Sequence, residues 1–106
     1  MSPIQFDWNE ANILHLAAHQ ILPAEAEQVI QNRSVDLASE LRNGEERIPH
    51  IGETDAGRIL VVITTFVDKK VRVVTAWAAN KNYRRWFLSL KRNGNVGRTE
   101  TDDLRE

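Results

Sequence analysis

"RILVVITTFVDKKVRVVTAW", residues 58–77, decides the fold of this chain. Residues 58–67 are apolar on both faces and rich in β-branched side chains, the pattern of a central strand. "DKK" (68–70) is a tight polar turn. Residues 71–77 return as the next strand, and so short a link makes the pair antiparallel. Beyond it, Asn80 is a suitable cap for a helix over residues 81–92.

Upstream, "RIPHIGE" (47–53) reads as a strand, with Pro49 pushing it towards an edge or a bulge. Asn43-Gly44 is a hairpin signal, and "VDLASEL" before it is a weak strand or loop. The period is helical nearer the N-terminus. Asn9 can cap a first helix whose stripe is Ile13, Leu14, Ala17, Ala18 and Ile21. Pro23 opens a second helix with the stripe Ala26, Val29 and Ile30, and Glu25 and Glu27 suit its first turn. "IQFDW" (4–8) alternates as a short edge strand would. The expected order is β-α-α-β-β-β-β-α. This is an α+β fold: two N-terminal helices, a small antiparallel meander and a closing helix, with helices covering one face of the sheet. Residues 1–92 form the single domain, and 93–106 a flexible polar tail.

The chain of 106 residues has no cysteine, which excludes disulfide scaffolds and thiolate metal sites. Its longest apolar run, "ILVVITTFV", is too short to span a membrane. The start "MSPIQFDWNE" lacks the pattern of a signal peptide, so the expected location is the cytoplasm. The net charge of −1 conceals an asymmetry. Residues 1–57 hold ten acids and three bases, whereas residues 58–92 hold nine bases and the single acid Asp68. Either the halves attract each other within the fold, or the basic half meets an anionic partner.

The closing helix favours the second reading. On a helical wheel Tyr83, Trp86, Phe87 and Leu90 fall together, towards the sheet. Lys81, Arg84, Arg85 and Arg92 fall opposite, with Lys91 at the edge. Five cations without an acid leave no partner one turn away, unlike the mixed charges of an ordinary solvated helix. Such a stripe suits phosphate groups.

Several positions carry a family resemblance: Trp8-Asn9 opening the first helix, His19 at its end, Glu25-Ala26, Glu46-Arg47, Gly52, "RILVVITT", "VRVVTA", and Arg84-Arg85 on the closing helix. Together, over about residues 5–88, they resemble the BrnT family of bacterial toxins, within the RelE/ParE-like superfamily. The resemblance implies a ribonuclease that stops translation and a cognate antitoxin, encoded beside it, that neutralises it. Four positions depart from the pattern. Trp77 stands where the family carries arginine, Tyr83 where it carries glutamate, Phe87 where it carries tyrosine, and Gln20 where it carries glycine.

Metal-free RNA cleavage needs a base, an acid and cations for the charged phosphorane. Arginine matches phosphate oxygens bidentately, which nominates Arg47, Arg72 and Arg84, with Lys81, Arg85, Lys91 and Arg92 binding RNA or a partner. Histidine ordinarily titrates near neutrality, so His19 is the first candidate for acid–base work and His50 the second. His15 and His19 share a helix face, the spacing of half a zinc site, but lack a third ligand nearby in sequence. No metal or other cofactor is expected. Trp77 is either a stacking platform or, by its parity with Val71, Val73 and Thr75, a core residue. Tyr83 could donate a proton, although the wheel turns its ring inward. The leading expectation is a toxin-like ribonuclease acting on RNA. The alternative is a non-catalytic RNA- or protein-binding module on the same fold.

Overall fold

The computed structural model describes residues 3–94; the greater part of the expected tail lies outside them. The elements run α1 (Glu10–Ala18), α2 (Pro23–Gln31), β1 (Val35–Asp36), β2 (Glu40–Arg42), β3 (Glu45–Glu53), β4 (Ile59–Val67), β5 (Lys70–Ala78) and α3 (Lys81–Arg92). The fold is α+β. Its antiparallel sheet has the order β1-β3-β4-β5, with β2 also paired to β3. The expected strand at 4–8 contracts to one parallel bridge between Phe6 and Val71. Asn9 ends the extended segment by capping α1, its side chain accepting from the Asn12 N–H.

Two short turns set the register. Asn43 and Gly44 have φ of 53° and 77°, the positive pair that matches strand twist in a two-residue hairpin. Asp68 and Lys69 adopt the same geometry at 50° and 67°. The second turn therefore has two residues, and Lys70 already pairs with Val67 in the sheet.

One irregularity governs the two faces. Ile63 lies opposite Thr75, but Thr64 lies opposite Val73. Val74 is the extra residue of a β-bulge, and the side-chain alternation of β5 shifts across it. Val73 and Ala76 join Leu60 and Val62 beneath α1 and α2, where Leu16, Ile21, Ala26 and Val29 complete a core cluster. A second cluster forms on the opposite face, where Phe87 and Leu90 of α3 meet Val35, Ile51, Ile59, Val61 and Ala79. The helices thus cover both faces, not one. The strands alternate, and β4 is apolar on both sides, so each face needs a cover.

Trp77 lies on the α3 side, opposite Val61, and is not core. The parity expected with Val73 fails because the bulge intervenes. The α1 stripe is also corrected. Leu16 and Ile21 are buried, whereas Ile13 and Leu14 are 39% and 59% exposed and Ala17 and Ala18 face solvent. α1 rests against β5 at the sheet margin, so only a narrow line of it turns inward. Phe6 and Trp8 fill the remaining space, and the Trp8 indole N–H donates to Glu27 of α2 at 2.7 Å. The α2 stripe holds as expected. Gly52 admits α2 closely, since a Cβ there would stand 2.9 Å from the Ser34 Cβ and 3.0 Å from Val29 Cγ1.

The link between α1 and α2 is stereochemically demanding. Gln20 has φ of 61°. Its N–H bonds the Ala17 carbonyl at 2.9 Å, and the Ile21 N–H bonds the Leu16 carbonyl at 3.0 Å. This is a Schellman cap, with Gln20 at the left-handed position that glycine occupies at least cost. Arg58 clamps the same junction, donating to the Gln20 carbonyl and to both Glu25 carboxylate oxygens. Partial burial of Glu25 works against its charge. The Leu22 N–H and Arg58 outweigh that and hold the carboxyl below its ordinary value of 4.5.

Two outcomes follow. Gln20→Gly should stabilise the fold by about 0.5–1 kcal/mol in urea unfolding, because relief of the left-handed strain exceeds the entropy gained by the unfolded chain. A carboxyl depressed in the folded state contributes stability above its unfolded pKa and loses it as pH falls through the folded value. Glu25→Gln should therefore lower the melting temperature at neutral pH, and the difference from wild type should vanish on acidification through and below pH 4.5.

Candidate nucleic-acid interface

α3 covers only one end of its sheet face. Asn80 caps it, accepting from the Tyr83 N–H. Beyond Val61 that face lies open, forming a cleft of about 310 Å³. Leu37, Pro49 and Ile63 line its floor, Trp77 and Tyr83 stand on its walls, and Glu40 lies on its rim. Trp77 is 39% and Tyr83 44% exposed, so the ring of Tyr83 is not buried as the wheel suggested. Tyr83 instead meets Trp86 edge-on, with ring centroids 6.2 Å apart. Trp86 packs on the core beneath α3 and so fixes the Tyr83 ring at the cleft.

The start of α3 borders this opening through Asn80 and Tyr83, and cations follow them on the helix. Lys81, Arg84 and Arg85 are exposed and make no ion pair among the described residues. No acid stands in the first turn of α3, although the helix dipole would favour one there. Cations in that turn are retained against the local preference. Alternation along β3 puts Arg47 on the Pro49 side, opposite Glu40 of β2. It is half-buried and donates to Glu45 at 3.3 Å. Arg72 shares the face through its pairing with Thr65, but Asp7 holds it, at 2.9 Å from Nε and 2.5 Å from Nη2. Lys91 is likewise engaged, by Glu53. Arg92 is exposed at the far end of α3.

The histidines lie elsewhere. His19 is the exposed C-cap of α1, across the sheet from α3. Among the described residues no third side chain joins it and His15 to hold a metal ion. His50 pairs in register with Val62 and Asp36, which turns it to the α1–α2 side. Its Nδ1 lies 2.6 Å from Asp36 Oδ1 and its Nε2 2.7 Å from Thr64 Oγ1. A carboxylate only accepts, so Nδ1 carries a proton. In the neutral ring Nε2 then accepts from the Thr64 hydroxyl. The chain Asp36–His50–Thr64 pins β1, β3 and β4 together. Asp36 had no signal in the sequence beyond a weak strand, because its role appears only once the register is known.

The departures from the resembled pattern divide by location. Gln20 belongs to a helix cap, and Phe87 is core at 1% exposure. Trp77 and Tyr83 face each other's cleft.

The molecule is thus a small α+β domain whose open sheet face lies beside the cationic start of α3. A family model described as "Ribonuclease toxin, BrnT, of type II toxin-antitoxin system" matches residues 8–82, and the chain belongs to that family. Membership implies a ribonuclease toxin and an antitoxin partner. No curated protein matches the chain. No helix among the described residues is long and apolar enough to cross a membrane.

The pinned histidine gives a test. Thr64 is 2% exposed, and without His50 its hydroxyl keeps only a long contact of 3.5 Å to the Ile48 carbonyl, so the loss leaves a buried polar group poorly satisfied, at a cost of about 1–3 kcal/mol. His50→Ala and Thr64→Val should each destabilise the protein by about that amount in urea unfolding. The double variant should lose less than the sum, as expected for two ends of one hydrogen bond.

Proposed function

We propose that this toxin cuts RNA on the open α3 side of its sheet, by attack of the 2′-hydroxyl and without a metal ion, and so stops translation. The observation that carries this reading is that Asn80 and Tyr83 at the start of α3 line the cleft, on the same turns where Lys81, Arg84 and Arg85 are exposed and make no ion pair among the described residues. Phosphates would lie along Lys81, Arg84 and Arg85, which steer the backbone by charge. Arg47, held in place by Glu45, is the cation for the phosphorane. Arg72, neutralised by Asp7, supports the strand edge and stands back from that task.

The acid–base roles move from the histidines to groups lining the cleft. The Glu40 carboxylate takes the proton from the 2′-hydroxyl as O2′ attacks phosphorus. The Tyr83 hydroxyl gives its proton to O5′ as the P–O5′ bond breaks. The products are a 2′,3′-cyclic phosphate and a free 5′-hydroxyl, and solvent returns the proton from Glu40 to Tyr83. Each role requires a polar group that reaches the cleft, which both residues do and His19 and His50 do not. The cognate antitoxin would cover the same cations with an acidic segment. A non-catalytic binding module remains the second reading, favoured by the distance of both histidines from this face.

Purified protein incubated with RNA in excess EDTA separates the two. Cleavage leaving 2′,3′-cyclic phosphate ends is the expected result, and intact RNA over pH 6–9, with and without ribosomes, would establish the binding module. Arg47→Ala should slow cleavage by about 10²–10³-fold and Glu40→Gln by about 10²–10⁴-fold. Replacing Arg84 and Arg85 together with alanine should instead weaken RNA binding and flatten its dependence on salt.

A further inference from the structure

We propose that the cleft beside α3 takes a single unpaired nucleobase stacked on Trp77, so that the protein engages single-stranded RNA and not duplex. This rests on the reading that the α3 side binds RNA and adds what it recognises there. Trp77 presents 39% of its surface to solvent over a floor of Leu37, Pro49 and Ile63. Trp77 lies with Leu37, Pro49 and Ile63 in one apolar cleft, and a contiguous apolar surface, unlike a singly exposed side chain, marks a binding site. Tyr83, braced by Trp86 at 6.2 Å, also lines the cleft, so two aromatic rings are offered to a flat entrant.

Charge decides which flat group it is. The neighbouring positions on α3 are Lys81, Arg84 and Arg85, exposed and unpaired among the described residues. A strand with one phosphate per base can seat a base in the cleft while its phosphates reach the cations that follow Asn80 and Tyr83 on α3; an uncharged aromatic ligand would leave those cations unused. Stacking also sets the strandedness. In a duplex the bases are stacked on one another and their faces are not available, whereas an unpaired base can be splayed onto an aromatic side chain.

The test uses 2′-O-methyl oligonucleotides, which cannot undergo 2′-hydroxyl attack, so binding is read independently of cleavage. The intact protein should bind single strands more tightly than the same sequence as duplex or as an abasic strand. Trp77→Ala should lose about 5- to 150-fold in affinity for single strands, the range of one stacked base. Its salt dependence should stay unchanged, because no cation is removed. Trp77→Phe should retain most of the affinity. Trp77→Leu, which keeps bulk without a π-face, should behave as alanine does and guards against a folding defect. The abasic strand should bind wild type and Trp77→Ala alike. If single strands bind with a steep salt dependence but Trp77→Ala matches wild type, or duplex binds equally well, the base pocket is wrong while the RNA face stands. If none of these oligonucleotides binds, the RNA face itself falls. If Trp77→Ala weakens only the antitoxin complex, the cleft belongs to the protein partner and the proposal is overturned.

Discussion

The bulge at Val74 is the constraint on which the rest of the molecule depends. Side chains in a strand alternate with a period of two, and a shift of one residue turns every side chain to the other face. By inserting one residue opposite the Ile63–Thr64 step, β5 sends Val73 and Ala76 into the same core although they are three positions apart. Thr75 and Trp77 then face the other way. Without the extra residue, burying Val73 would bring Thr75 and Trp77 under α1 and α2, where a large indole has no room. Bulges recur where a strand must re-aim a side chain at a functional surface, and here the side chain re-aimed is the wall of the cleft.

The same bulge marks the limit of what could be read without coordinates. Strong local signals survived. β4 and β5 were evident from β-branched runs on either side of a tight turn, and α3 from its cap and its divided faces. Asn43-Gly44 appeared as a hairpin with the expected positive φ pair. What failed was parity and placement. Nothing in "VRVVTAW" announces that one valine is unpaired, so unbroken parity with Val71 and Val73 points Trp77 to the core. The α1 stripe misled for a related reason: periodicity identifies an apolar face, not whether the helix lies over the centre of a sheet or at its margin. The candidate site was half visible. Its cations were conspicuous, but Glu40 was hidden in a weak strand, and the histidines were separated from Arg47 by a sheet whose sidedness the sequence does not state.

Charge in this protein serves two purposes at once. Arg58, Arg72 and Lys91 of the basic half bind Glu25, Asp7 and Glu53 of the acidic half. The two halves do attract each other within the fold, through pairs that tie a helix, the N-terminal segment and α3 to the sheet. Lys81, Arg84 and Arg85 have no such partner among the described residues. Arg58, Arg72 and Lys91 are thus spent on the fold, whereas the cations on the first turns of α3 are not. Exposed pairs contribute little stability individually, so the folding role of the three bridges lies mainly in positioning.

The N-terminal segment gives the molecule a property of timing. Asp7 donates its N–H to Val71 and Val71 returns one to Gln5, while the Asp7 carboxylate holds Arg72, 65 residues away in sequence. The Val71 end of the free margin of β5, the last strand among the described residues, is paired by a segment that lies ahead of every helix and strand of the fold. Until β5 has emerged, the early segment has nothing to pair with and the open cleft has no Trp77 wall and no α3. In a nascent chain the cleft is therefore among the last features to be assembled. Once the strand arrives, the bridge at Val71 interrupts one end of an edge through which sheets otherwise join one another.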